Sequence, residues 1–411
     1  MTVLPSGFKD SSGNPTTRYA TQWPNGAARA SSWNDDLNMQ MGTAWGQEEY
    51  YFGNDLALAP GMNIQRFPLN GRNFEYFSED PLLSGRTSAS KVNGFQSQGV
   101  GMTVKHFACN NQETGRSNLP TNVSQRALRE IYLRSFEYAI KEAQPWSVMS
   151  SYNQINGVST AENPELLTSV LRNDWGFQGF TMTDWGGQGN ASYWPSQTGN
   201  NAYSSMVKAG LDVSESSGNV NSIISGYNAG FITMNDIDAC VRRVLKYVLK
   251  TPVFHGKAMS TEPNPYSSAN LELANKVSIE SMTLLKNAYI NNKPSLPITS
   301  GNIAIIGNAS SNLILGGTGS GAVNADPSLA IQIPAALQNI YSGGTIIDAT
   351  KLSYAQVSGE MQPTDSQMTD LVNQCGYDHP EKFGRRLGYL QKQGGLLSQR
   401  RGAEPDHAGI R

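Results

Sequence analysis

Asp184 ends the run GFTMTDW, and Trp185 follows it directly. Tyr152 ends WSVMSSY, Lys105 and His106 stand together in GMTVKHFA, and Arg116 follows in NNQETGR. Arg72 lies in GRNFEYFSEDP, just past LALAPGMNI. One carboxylate at a strand end, with cations, an imidazole and aromatic rings at other strand ends, is the set needed to work on a buried polyol. Hydrolysis of a glycoside with retention uses two carboxyl groups about 5–5.5 Å apart, one ionised and attacking, the other protonated and releasing the leaving oxygen. Charged and bidentate donors satisfy the sugar hydroxyls, and an aromatic face supports the ring. Each residue taken singly has a commoner structural use: Asp184 as a helix N-cap, Tyr152 and Trp185 as core aromatics, His106 as a satisfied core histidine.

The elements that must position them follow one rhythm from about residue 55 to 215, an apolar run and then an amphipathic segment. The runs are 56–64, 101–108, 146–152, 179–185 and 209–213. Ser124 is placed to cap a helix whose apolar residues are Leu128, Ile131, Tyr132, Phe136, Ala139, Ile140 and Ala143. Asn163-Pro164 opens another, which Gly176 closes. Asn235 or Asp236 starts a third through Val241, Val244, Leu245 and Val248. Strand then helix, repeated, predicts a mostly parallel sheet. Chemistry at the ends of several strands, with no dinucleotide-type glycine motif, favours a barrel over an open doubly wound sheet.

The predicted class is α/β: a (β/α)8-type TIM barrel over residues 1–254, lacking its first strand or two. A linker and connecting helix cover 255–302. Residues 303–374 read as the start of an α/β sandwich domain, opened by the run IAIIG and the glycine-rich turn GGTGSG at 316–321. That turn lacks the Gly-Lys-Ser/Thr ending of a nucleotide loop. From 375 to 411 the chain has Arg-Arg pairs and no sustained period, and reads as an out-of-frame or disordered tail.

Composition excludes several classes. A net charge of -2 gives no basic field for nucleic acid. No apolar run approaches the ~20 residues that cross a bilayer. The opening segment MTVLPSGFKDSSGNP has no basic stretch followed by an apolar one, so no signal peptide is read there. Cys109, Cys240 and Cys375 form neither a disulfide framework nor a metal pair. His106, His255, His379 and His407 share no ligand spacing. Neither metal nor organic cofactor is expected.

Four long segments in order, APGMNIQRFPLNGRNFEYFSEDP, VKHFACNNQETGR, VMSSYNQINGV and GFTMTDWGG, resemble glycoside hydrolase family 3 of the β-glucosidase type. SIESMTLLKN and GGTGSG extend the likeness, which spans roughly residues 20 to 370. The resemblance implies Asp184 as the nucleophile that forms a covalent glycosyl-enzyme. It implies Arg72, Lys105, His106, Arg116 and Tyr152 as holders of the first sugar, Trp185 as its hydrophobic wall, and Ser320 as a contribution from the second domain. The implied substrate is a β-glucoside or cello-oligosaccharide, with secretion or periplasmic export of the full-length parent.

Two departures stand out. The family's upstream Asp-Gly-Pro segment is absent. Its general acid is a Glu in the second domain, well beyond the glycine-rich turn. Glu360, in VSGEMQP, suits the local pattern for an acid/base but lies only 40 residues after Ser320. The implied reaction is retaining hydrolysis of terminal β-D-glucosyl residues, with the general acid expected beyond the point where the sequence goes out of the family's register. β-Xylosidase activity and a catalytically silent sugar-binding fragment are the alternatives. A β-N-acetylglucosaminidase would carry an Asp-x-His loop in the barrel, and KHFACNNQETGR has none.

Overall fold

The computed structural model describes residues 18–376 apart from 217, 259, 261–263, 291–292, 314–321 and 354–360. Ser320, Glu360 and nearly all of the 375–411 tail lie outside the described residues. The described chain falls into two compact units: the part through Thr283 with the described portion of Gly316–Asp326, and the remainder.

Four parallel strands run through the first unit in chain order: β1 (Leu56–Ala57), β2 (Gly101–Phe107), β3 (Ser147–Ser150) and β4 (Phe180–Met182). Leu56 pairs with Gly101, Thr103 with Ser147, and Ser147 with Phe180. A parallel bridge from Met182 to Val213 adds the fifth predicted run at one edge, and a bridge from Gly61 to Lys105 lengthens the pairing at the other. Each strand lies beside its sequence neighbour, the order of a barrel wall rather than of a sheet that doubles back.

Among the described residues the wall does not close into a barrel, in keeping with an α/β barrel that lacks strands. The helix Met234–Val248 packs on one face of this sheet. Its Val244 and Tyr247 share one apolar cluster with Leu56, Leu58 and Val213. They also cover Met149, Phe180 and Met182, the side chains on the inner face. The rings of Phe180 and Tyr247 lie 4.7 Å apart. This helix is capped by Thr233, whose hydroxyl accepts from the backbone N–H of Asp236, rather than starting at Asn235 or Asp236. Of its expected apolar stripe, Val241, Leu245 and Val248 face solvent.

The opposite face carries the main core: Met102, Val104, Phe107 and Val148 against Phe136, Ile140, Leu167 and Leu171. Local signals seat these helices. Asp80 caps the helix Pro81–Gln96, accepting from Leu83 N at 2.7 Å, with proline in the first turn. That helix lies so close to Asp35–Phe52 that a Cβ on Gly94 would sit 2.1 Å from the carbonyl oxygen of Met39. Ser124 caps as expected, but a π-helical turn over Leu128–Tyr132 shifts the register before Arg134–Ala143. Ile131 is thereby exposed while Leu128, Phe136 and Ile140 stay buried. Asn163 accepts from the N–H groups of Glu165 and Leu166, and Gly176, at φ 71°, follows the helix that they begin. The helix Ser267–Glu280 belongs to the first unit and buries Val277 against Leu37 and Met41.

The second unit contains parallel strands Ile303–Ile306 and Ile346–Ala349, with helices Ile333–Ile340 and Asp365–Gln374. Leu352, Met368 and Leu371 pack on Ala304, Ile306, Ile347 and Ala349. No helix of the described residues is long and apolar enough to cross a membrane.

Candidate active site

The C-terminal ends of β2, β3 and β4 converge on one polar cluster. Asp184 follows β4 and is 9% exposed. Its Oδ1 accepts from Trp185 N at 2.8 Å, and its backbone carbonyl accepts from Gly187 N at 2.9 Å. Oδ2 lies 3.5 Å from His106 Nε2, beyond a normal hydrogen bond. Neither atom has a hydrogen-bond partner among the described residues, and both are buried.

His106 is held from behind. The side-chain amide of Asn63 donates to its carbonyl and accepts from its N–H, both at 2.8 Å. The hydroxyl of Tyr76 lies 3.3 Å from Nδ1 and also donates to the Asn110 carbonyl. Burial pushes the His106 pKa well below that of a free histidine, and the Arg72, Lys105 and Arg116 charges push the same way. The ring is neutral at pH 7.

Beside this pair runs a ladder of alternating charges. Lys105 Nζ lies 3.5 Å from Glu75 Oε2, and Arg72 Nε 2.5 Å from Glu75 Oε1. Arg72 Nε is 4.0 Å from Glu113 Oε1, and Arg116 Nη1 donates to Glu113 Oε2 at 2.6 Å. The Arg116 guanidinium then stacks 4.3 Å above the Tyr152 ring. Tyr152 donates its hydroxyl proton to the Trp185 carbonyl at 2.6 Å, which returns the ladder to the residue after Asp184. Burial works to raise the Glu75 pKa, but Lys105 and Arg72 outweigh it and hold the carboxyl below its usual range. The Tyr152 phenol is pushed up to about 12 by burial and by the charge of Asp184.

All seven predicted residues inside the described chain, Arg72, Lys105, His106, Arg116, Tyr152, Asp184 and Trp185, are therefore linked by contacts. Trp185 keeps its side chain open, 47% exposed. Sequence reading missed Glu75, Glu113, Asn63 and Tyr76. A signal for the two acids was present, because each stands three residues from an arginine, in RNFE and ETGR. Both acids are tied to cations and act as holders of Arg72, Lys105 and Arg116. No group of three or more metal-ligating side chains occurs among the described residues. The cluster offers one carboxylate oxygen without a partner, faced by a neutral imidazole and flanked by fixed cations. That arrangement suits nucleophilic attack by Asp184 on a polar, many-hydroxyl substrate.

Residues 10–247 match the model of the glycosyl hydrolase family 3 N terminal domain. The chain is 37% identical over 361 residues to a thermostable beta-glucosidase B of Acetivibrio thermocellus, covering 87% of this chain and 44% of that protein. It is 40% identical over 287 residues to an exo-alpha-(1->6)-L-arabinopyranosidase of Bifidobacterium longum, covering 69% and 35%. Beta-glucosidase 3B of Thermotoga neapolitana, solved with alpha-D-glucose, superposes with a TM-score of 0.74 at 34% identity, covering 90% of this chain and 52% of that one. The chain thus spans about half or less of the length of the relatives it matches. With the family model covering more than half of its residues, this chain belongs to glycosyl hydrolase family 3.

Proposed function

We propose that this chain supplies the nucleophilic half of a retaining β-glucosidase, acting on terminal non-reducing β-D-glucosyl residues of oligosaccharides. The observation that carries the reading is the buried Oδ2 of Asp184, left without a hydrogen-bond partner and facing neutral His106. A carboxylate with one oxygen restrained by Trp185 N and the other unspent is prepared to attack an anomeric carbon. A proton on Nε2 of His106 would face that carboxylate. Arg72, Lys105 and Arg116 are held in place by Glu75 and Glu113 to bind sugar hydroxyls, with Trp185 as the apolar wall. The relatives named as beta-glucosidases, and a neighbour solved with glucose, support glucose as the first sugar.

The double displacement also needs a proton for the leaving oxygen. Glu75 and Glu113 are committed to cations, which supports an acid elsewhere in the protein; Ser320 and Glu360 lie outside the described residues. The chain should then favour substrates that need little acid help: an aryl glucoside with a good leaving group turns over about 10²–10⁴-fold faster than cellobiose. Brisk cleavage of cellobiose would overturn that point. A second reading, a pentopyranoside lacking the exocyclic hydroxymethyl group, is favoured by the arabinopyranosidase at 40% identity. β-Xylosidase activity falls under it.

Incubation with a dinitrophenyl 2-deoxy-2-fluoro-β-glucoside, followed by mass spectrometry of the peptide containing Asp184, tests the reading. A covalent sugar on Asp184 is the expected result. A folded sample without adduct overturns it and leaves a silent sugar-binding fragment.

A further inference from the structure

Glu162 is fully buried, yet makes no ion pair among the described residues. It sits in a single 3-10 turn, Thr160–Glu162, just past the short hairpin that follows Tyr152. All of its described hydrogen bonds go to one place. Oε2 accepts from Ala191 N at 2.8 Å, while Oε1 accepts from Ser192 N at 2.6 Å and from Ser192 Oγ at 2.5 Å. The approach is so close that a Cβ on Gly189 would stand 2.6 Å from Oε2. Ala191 takes φ 61°, a left-handed conformation that an alanine rarely adopts, and its carbonyl accepts from Asn200 Nδ2 at 3.1 Å.

The segment that Glu162 grips is the continuation of the turn that carries Asp184. At its start, the turn is fixed by Trp185 N on Asp184 Oδ1, by Gly187 N on the Asp184 carbonyl, and by the Tyr152 hydroxyl on the Trp185 carbonyl. At its far end the fixing group is Glu162. A buried carboxylate without a cationic partner is costly unless several donors converge on it. Here the donors are two backbone N–H groups and one hydroxyl, and all three belong to this loop.

We infer that Glu162 is a positioning residue for the nucleophile: its carboxylate holds the 189–192 segment so that Trp185 keeps Asp184 Oδ1 engaged and Oδ2 aimed into the site. The inference rests on the reading of Asp184 as nucleophile. Glu162→Gln keeps the size of the side chain but turns one acceptor into a donor that meets an N–H, which releases the loop. A displacement on the order of 1 Å at a reacting group costs about 10²-fold in rate.

The test is the rate of covalent trapping by the same fluoro-glucoside, followed over a range of reagent concentrations, with the thermal midpoint measured alongside. The expected result for Glu162→Gln is a first-order trapping constant about 10²-fold lower, with the half-saturating concentration little changed. A purely structural role would lower the thermal midpoint and leave the trapping constant of the folded enzyme alone. A trapping constant within about twofold of the unmodified protein overturns the inference. Absence of adduct in the unmodified protein overturns the parent reading and this inference with it; normal trapping there, with no change in the variant, overturns this inference alone. If Glu162→Gln does not fold, Ser192→Ala keeps the carboxylate and removes one donor. About tenfold slower trapping then supports the role, and unchanged trapping overturns it.

Discussion

Two aspartates stand at adjacent positions of the sheet and differ sharply in how their oxygens are bonded. Asp184 follows β4, and Asp212 precedes Val213, the residue that bridges to β4. Asp212 has no exposed side-chain surface and is saturated: Arg172 Nη2 lies 3.0 Å from Oδ2, Arg243 Nη2 2.7 Å from Oδ1, and Thr181 supplies its N–H at 2.8 Å. Asp184 has one backbone donor and a buried oxygen with none among the described residues. Burial alone does not separate a reactive carboxylate from a structural one. Hydrogen-bond saturation does, because each donor on an oxygen lowers its readiness to form a new bond. Asp212 ties β4, helix Glu165–Asp174 and helix Met234–Val248 together, whereas Asp184 keeps one oxygen without a hydrogen-bond partner among the described residues.

Exchanging each carboxylate for an amide should break this contrast most visibly. Asp184→Asn removes the proposed nucleophile and should lower trapping and hydrolysis by about 10⁴–10⁶-fold. Its thermal midpoint should be unchanged or raised, because an unsatisfied buried carboxylate is gone. Asp212→Asn should do the reverse. It leaves Arg172 and Arg243, both largely buried, without their counter-charge, at a cost of about 3–5 kcal/mol. Urea unfolding followed by tryptophan fluorescence reads that loss, while the trapping constant of the remaining folded enzyme stays near the original. A destabilised Asp184→Asn, or a stable Asp212→Asn, would remove the basis of the comparison.

The same contrast shows what a sequence displays and what it withholds. Asp184 was legible because it ends an apolar run beside an aromatic residue and recurs with Lys105, His106 and Tyr152 at neighbouring strand ends. Those are local relations, and the parallel rhythm of strand and helix places them at one end of the sheet. Asp212 ends a similar run in AGLDV, but its partners lie 40 residues before it and 31 after it, and nothing local announces them. Glu75 and Glu113 were closer to view, each three residues from an arginine. The helix Met234–Val248 is legible in its extent and in Val244, but not in which face it buries, for a related reason. Its sequence offers two adjacent stripes, one through Val241, Leu245 and Val248, the other through Cys240, Val244 and Tyr247. Only the packing of Tyr247 on Phe180 decides which one is buried. The π-helical turn over Leu128–Tyr132 similarly shifts one apolar residue outward without altering the pattern that predicted the helix.

A smaller effect sharpens the comparison through pH. His106 is buried and its pKa is lowered, by burial first and then by Arg72, Lys105 and Arg116. The unfolded chain therefore binds a proton on this histidine at a higher pH than the folded one does. Stability from this group is fully present above about pH 6.5, the unfolded value, and is lost as pH falls toward the lowered folded value. The slope should be about 1.4 kcal/mol per pH unit below that point. Thermal midpoints between pH 7.5 and 5 should fall less steeply for His106→Asn than for the unmodified protein. Equal slopes would show that His106 takes up its proton as readily in the folded chain as in the unfolded one, against the lowering expected from its burial.

The smallest effect concerns geometry rather than charge. Arg243 reaches Asp212 with a planar fork and also donates from Nη2 to Cys240 Sγ at 3.5 Å. Arg243→Lys keeps the positive charge on the helix Met234–Val248 but replaces the fork with a single ammonium on a flexible stem. If charge neutralisation is what Asp212 mainly requires, the lysine should suffice and the loss should be about 1 kcal/mol, well below that of Asp212→Asn. If the fork is needed to hold the helix against Phe180 and Met182, the two variants should be destabilised alike. In neither case should the trapping constant move, because none of these contacts reaches the donors on Asp184. A fall in trapping with Arg243→Lys would mean that the two aspartates are mechanically coupled through β4, and that the reactive and structural ends of the sheet are not separate.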